Sequence, residues 1–307
     1  MDQRLNEFTA REDRGSGTVA RVVRRRGLKS AYTSPELVIL IHGFNVPQER
    51  AAESLEGFWR RLTSSLGNRG RKLPPAFAFY WPGSHENWAL SAATFTARIG
   101  VADDAGNLLG TLLTKLRPSQ RVILIGHSLG CRVLLQALTY VADQKAARHT
   151  ESAEVPVACL LAAAVPVGRC VDGERFSSAV IKNNVEALHS RSDRVLQFFF
   201  APGQHLFESD KAEAVGRNGG PPRRWGPRHD MGLGHKRYLT SDRAADEVAR
   251  IIDPRLSWAI GSWYLPGEEL PEARKLARRD VPSRSINDDL EAGWVNCWPI
   301  AGDGAVL

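Results

Sequence analysis

The stretch RVILIGHSLGCRVLLQAL, residues 121–138, begins as an unbroken apolar run and ends with apolar residues at helical spacing. The run 121–126 predicts a buried strand, and Val133, Leu134, Leu135, Leu138 and Val141 predict the helix after it. Between them sits G-H-S-L-G. On a sharp strand-to-helix turn, Gly126 and Gly130 keep side chains out of the bend, and the hydroxyl of Ser128 is lifted above the carboxyl edge of the sheet. There the helix N-terminus offers N–H groups to a developing negative charge. Ser128 is therefore a candidate nucleophile; the competing reading is a small polar residue that ends a strand.

Working outward, ELVILIHG (36–43) reads as a strand buried on both faces. Pro47 opens a helix whose apolar face is Leu55, Phe58, Trp59, Leu62 and Leu66. PAFAFYWPG (75–83) is a short strand stopped by Pro82 and Gly83, and a mainly helical segment spans about 84–116. VACLLAAAVP (157–166) and NVEALHSRSD (184–193) predict two more strands, and residues 201–230 read as a loop. SDRAADEVARIID (241–253) has a Ser/Asp cap and ends before Pro254, as a helix does. Strands alternating with helices indicate an α/β fold with a mostly parallel central sheet flanked by helices. Residues 18–26 read as an exposed early strand, and 1–17 as a flexible N-terminal arm.

The strand at 36–43 ends in His-Gly-Phe-Asn, a loop whose N–H can face the same reacting carbonyl as Ser128. The expected oxyanion donors are the backbone N–H groups of Leu129 and Phe44, with His42 organising the loop rather than moving protons.

VILIHGFN, FYWPG, LIGHSLGCRVLLQAL and SRSDRVL, in this order, resemble the α/β-hydrolase superfamily over residues 18–253. The likeness is to a bacterial branch with an H-G-F-N loop, a W-P-[GS] strand end and H-S-[ML]-G at the elbow. It implies a Ser-Asp-His triad in that chain order, with no metal and no cofactor. Asp193, just beyond a predicted strand, fits the acid, with Asp172 and Asp210 as fallbacks. The histidine must follow it ahead of the last helix, which leaves His205, His229 and His235. Gly232 and Gly234 flank a loop able to carry an imidazole over the sheet, and Gly234, His235 and Tyr238 match a G-H-x-x-Y run of related hydrolases. His235 is the preferred base and His229 the alternative.

Composition narrows the class. The chain has 307 residues, 43% hydrophobic and 24% charged, as in a globular protein. No apolar run reaches the roughly 18–20 residues that span a bilayer, and the N-terminus has no signal-like core, so a cytoplasmic location is the default, with signal-less export left open. Cys131, Cys159, Cys170 and Cys297 show no C-x-x-C spacing, which speaks for scattered thiols rather than zinc. A net charge of +7 favours an anionic partner, but the basic residues are dispersed and no nucleic-acid motif accompanies them. An anionic membrane surface fits better than nucleic acid. Residues 255–307 hold Trp258, Trp263, Trp294 and Trp298 and read as an extension packed on a domain spanning 1–254. Trp88, Phe95 and Ile99 are candidates for an apolar wall, and Arg217, Arg223, Arg224 and Arg228 lie in the loop between acid and base.

The expected function is cleavage of a carboxylic ester, acyl or lipid-like, through an acyl-enzyme on Ser128. The alternatives are an amide or thioester hydrolase, and a non-catalytic binding or scaffold protein on the same fold.

Overall fold

Alternation along buried strands sends successive side chains to opposite faces, and a sheet whose strands are apolar at every position must be covered on both. The computed structural model describes residues 5–11, 19–26, 33–67, 74–83, 91–148, 151–182, 184–200, 213–220 and 228–253. In chain order its elements are β1 (Asn6–Arg11), β2 (Val19–Arg26), β3 (Glu36–Ile41), α1 (Gln48–Gly67), β4 (Ala76–Tyr80), α2 (Ser91–Lys115), β5 (Arg121–His127) and α3 (Gly130–Arg148). They continue as β6 (Glu154–Leu161), α4 (Ser177–Lys182), β7 (Val185–His189), β8 (Arg228–Asp230) and α5 (Asp242–Ile252).

The sheet runs β2-β1-β4-β3-β5-β6-β7-β8. Among the described strands of this sheet, only the β1–β2 pairing is antiparallel. Leu37, Ile39, Ile41, Val122 and Leu124 face α2 and α3, whereas Val38, Leu40, Ile123 and Ile125 face α1 and α5. The α1 side chains expected on the apolar face, Leu55, Phe58, Trp59, Leu62 and Leu66, are all buried there. Each such residue contributes about 1.5–3 kcal/mol of transfer free energy. The α/β fold expected from the strand pattern is thus the fold observed.

Three boundaries depart from expectation. Residues 6–11 are not part of a flexible arm: they form β1, inserted between β2 and β4 and parallel to β4. Phe8 and Ala10 are fully buried, and Phe8 stacks on Phe77 with ring centroids 4.3 Å apart. Its polar residues hid the strand, yet two of them find partners 70 residues along the chain: Asn6 Nδ2 donates to the Ala76 carbonyl and Arg11 Nε to the Trp81 carbonyl. Within the stretch read as a loop, Val215–Asn218 form one helical turn and Arg228–Asp230 form the last strand. The tryptophan-rich residues 255–307, Trp88, His205, Asp210, Arg223 and Arg224 lie outside the described residues, as do the side chains of Phe95 and Arg228; Ile99 is buried. Among the described residues no helix is long and apolar enough to cross a membrane.

One polar cluster sits inside the helical layer. α2 and α3 approach closely, since a Cβ added at Gly106 would lie 2.5 Å from Gln136 Cβ. Beside that contact Asp103 accepts from Arg132 Nε at 2.8 Å and Nη2 at 3.1 Å, and pairs with Arg175 Nη1 at 3.0 Å. Both guanidinium carbons stand 5.6 Å from the centre of the Phe176 ring. Arg132, on the first turn after the G-x-S-x-G bend, is fully buried.

Candidate active site

β5 ends at His127, and Ser128 follows with φ 54°, a left-handed backbone that a β-carbon makes costly. A strained residue at such a bend persists only where the surroundings over-determine it. Here Ser128 N–H donates to the Leu161 carbonyl, while the Ser128 carbonyl accepts from Cys131 and Ala164. The flanking glycines have steric reasons. A Cβ on Gly130 would come within 2.3 Å of the His42 carbonyl oxygen, and one on Gly126 within 3.0 Å of Cys131 Cα. Gly130→Ala is therefore expected to push the 42–45 loop off the elbow and to cost about 2 kcal/mol or more, read as a lower urea midpoint. An unchanged midpoint would show that the loop yields without penalty.

Ser128, His235 and Asp193 meet. Ser128 Oγ lies 2.9 Å from His235 Nε2, and His235 Nδ1 lies 2.8 Å from Asp193 Oδ2. The carboxylate can only accept, so Nδ1 carries the proton and Nε2 is free to accept from the serine hydroxyl. Asp193 is fully buried, and its other oxygen accepts from the Leu196 N–H at 3.0 Å. His235 opens the 3₁₀ turn His235–Leu239, reached through Gly232 with φ 59°. The fallback acid Asp172 is exposed in the turn beyond Val167–Cys170.

His229 has a different place. Its Nε2 is 3.0 Å from Glu186 Oε2 and its Nδ1 is 2.8 Å from Glu247 Oε1, tying β8 to β7 and α5. Burial alone would lower its pKa, but the hydrogen bonds and charges of the two glutamates outweigh that and raise it to about 9. With both nitrogens engaged by carboxylates, it has no lone pair to offer as a base. A raised folded-state pKa stabilises fully below the unfolded value of about 6.5 and is lost as pH climbs through about 9. The urea-midpoint gap between wild type and His229→Asn is accordingly expected to be largest near pH 6 and to close by about pH 10. A gap that widens with pH would contradict the charged clasp.

The H-G-F-N loop rests on the W-P-G strand end. His42 Nδ1–H donates to the Gly43 carbonyl at 2.8 Å, His42 Nε2 accepts from Trp81 N–H at 3.2 Å, and Trp81 Nε1–H donates to the His42 carbonyl at 2.8 Å. Burial, and then the charge of Arg11, hold the His42 pKa near 3, so it is a neutral strut. Phe44 sits in the turn directly after Gly43, where an added Cβ would be 3.0 Å from Ser128 Cβ. Among the described residues, the Leu129 N–H makes no bond to a loop or turn carbonyl. Leu129 directly follows Ser128, and Phe44 directly follows a glycine packed against it.

Two supports escaped the sequence reading: the buried indole of Trp81 beneath the loop, and His127, whose Nε2 is 2.9 Å from the His235 carbonyl. The aromatic of W-P-G was a visible signal for the first. Cys131, Cys159 and Cys170 are buried, and burial pushes each thiol up, away from nucleophilic chemistry. Among the described residues no cluster of His, Cys, Asp and Glu is arranged to hold a metal ion.

Residues 38–289 match the profile of the alpha/beta hydrolase family. No curated protein matches the chain. Among solved structures, a gene product of Listeria innocua is similar at 12% identity, over 70% of this chain and 93% of that one, with a TM-score of 0.41. A Trichoderma reesei cutinase in complex with a phosphonate inhibitor is similar at 16% identity, over 72% and 80%, with a TM-score of 0.36. Acyl-protein thioesterase 2 of Zea mays is similar at 16% identity, over 73% and 95%, with a TM-score of 0.37.

Proposed function

The chain belongs to the alpha/beta hydrolase family, and from that premise we propose that it is a serine hydrolase that cleaves a carboxylic ester. The observation that carries this reading is the continuous line Ser128 Oγ, His235, Asp193, with contacts of 2.9 and 2.8 Å at a strained elbow. A hydroxyl so placed gives its proton to Nε2 as it attacks a carbonyl carbon, and Asp193 steadies the imidazolium that forms. The tetrahedral oxyanion takes hydrogen bonds from the N–H groups of Leu129 and Phe44. His235 then returns the proton to the departing alkoxide, leaving an acyl-Ser128 ester. Water, deprotonated by the same imidazole, releases the acid and regenerates the hydroxyl.

The test is labelling of the full chain with a fluorophosphonate, the adduct being located by mass spectrometry, beside turnover of 4-nitrophenyl acyl esters and a matched anilide. The expected adduct is on Ser128, absent from Ser128→Ala and His235→Ala and retained in His229→Asn at pH 7. Faster turnover of esters than of the anilide supports the ester assignment. A folded wild-type protein that reacts with neither probe nor ester would sink the reading and leave a binding role on the same fold.

A further inference from the structure

His127 occupies the variable position of the elbow, between Gly126 and Ser128, and it is not spent on packing alone. Strand alternation points it to the face of Ile123 and Ile125, where Tyr238 and Leu239 of the base-bearing turn are also buried. Its Nε2 lies 2.9 Å from the main-chain carbonyl of His235. A carbonyl only accepts, so the proton must sit on Nε2 and Nδ1 must be bare. The bare nitrogen faces the other half of the site: a Cβ built on Gly43 would come within 3.1 Å of it. One small, buried ring thus stands between the loop that delivers the base and the loop that flanks the nucleophile.

We propose that His127 is a positioning residue, which holds the main chain of His235 so that its Nε2 stays aligned on Ser128 Oγ. The proposal rests on the hydrolase reading above. His235 is carried by a short 3₁₀ turn after a glycine-bearing loop, not by the sheet, and a bond from the last residue of β5 ties that turn to the strand that leads into the nucleophile. The ring must also tolerate a positive neighbour, because His235 becomes an imidazolium during the reaction and the two ring centroids are 5.2 Å apart. Burial, followed by the nearby His235, keeps the His127 pKa near 4, so it meets that charge as a neutral dipole.

Reach separates this role from simple filling. A glutamine amide can place a donor where the imidazole Nε2 is; an asparagine amide ends a bond short. His127→Asn is expected to lower kcat for a 4-nitrophenyl ester about 10- to 100-fold with KM changed by less than about twofold, and His127→Gln to recover kcat to within about threefold of wild type. In proton NMR, the downfield resonance of His235 Nδ1–H against Asp193 is expected to broaden or vanish in His127→Asn and to return in His127→Gln. Should His127→Asn fail to fold, His127→Phe keeps the ring volume without the donor and is read by the same two observables. Wild-type kcat together with an intact resonance in a variant lacking the donor would overturn the proposal. If wild type itself turns over no ester, the hydrolase reading fails, and the resonance alone still decides whether His127 aligns His235.

Discussion

Ser128→Ala is expected to reduce ester turnover by roughly 10⁴- to 10⁶-fold without unfolding the protein. The hydroxyl is hydrogen-bonded to His235 Nε2 at 2.9 Å, and alanine leaves the imidazole nothing to deprotonate except water. His235→Ala should cost about as much, and the double variant little more than either alone, because the two act as one unit. Asp193→Asn should cost about 10⁴-fold by favouring the wrong tautomer of His235. Steady-state kinetics with a burst-phase measurement check all four. Losses that multiply across the double variant would mean that serine and histidine act independently, contrary to the proposed mechanism.

The largest effect on stability is expected away from the reacting atoms. Arg132 is fully buried and its guanidinium makes two hydrogen bonds with Asp103. Asp103→Ala leaves that charge without its carboxylate and is expected to cost about 3–5 kcal/mol, measured as a fall in the urea midpoint. Arg175→Ala removes a partner whose side chain is 37% exposed and should cost less than about 1 kcal/mol. Adding Arg132→Met to Asp103→Ala should recover much of the loss, since a buried pair is replaced more cheaply than it is broken. Equal, small losses from Asp103→Ala and Arg175→Ala would show that the cluster contributes shape rather than charge pairing. The consequence reaches the site, because Arg132 lies on the first turn of the helix that leaves the elbow.

The fold was readable where local pattern and burial agree. In RVILIGHSLGCRVLLQAL the strand, the tight bend and the helix each have their own local signal, and all three are observed. ELVILI and AFAFY were readable for the same reason, being apolar at nearly every position. β1 was not, because NEFTAR offers only Phe8 and Ala10 as inward residues and its polar members find partners on a strand far along the chain. The histidines show the same limit. Nothing near PRHDMG announces that Glu186 and Glu247 will flank His229, and nothing in GHS says that His127 will reach the His235 carbonyl. The order of Ser128, Asp193 and His235 followed from the resemblance to the α/β-hydrolases; the long-range contacts that distinguish one histidine from another could not be read.

The insertion of β1 between β2 and β4 also bears on how the molecule assembles. β1 and its parallel partner β4 are separated along the chain by β2, β3 and α1, so this pairing closes only across a long stretch of sequence. A partly folded chain that has joined β3 to β8 but not β1 exposes β4 as a bare edge, with all five residues apolar or aromatic. Such edges invite pairing with other chains. Docking of β1 on β4 is thus expected to cover that edge, and refolding yield should fall with protein concentration until it is complete.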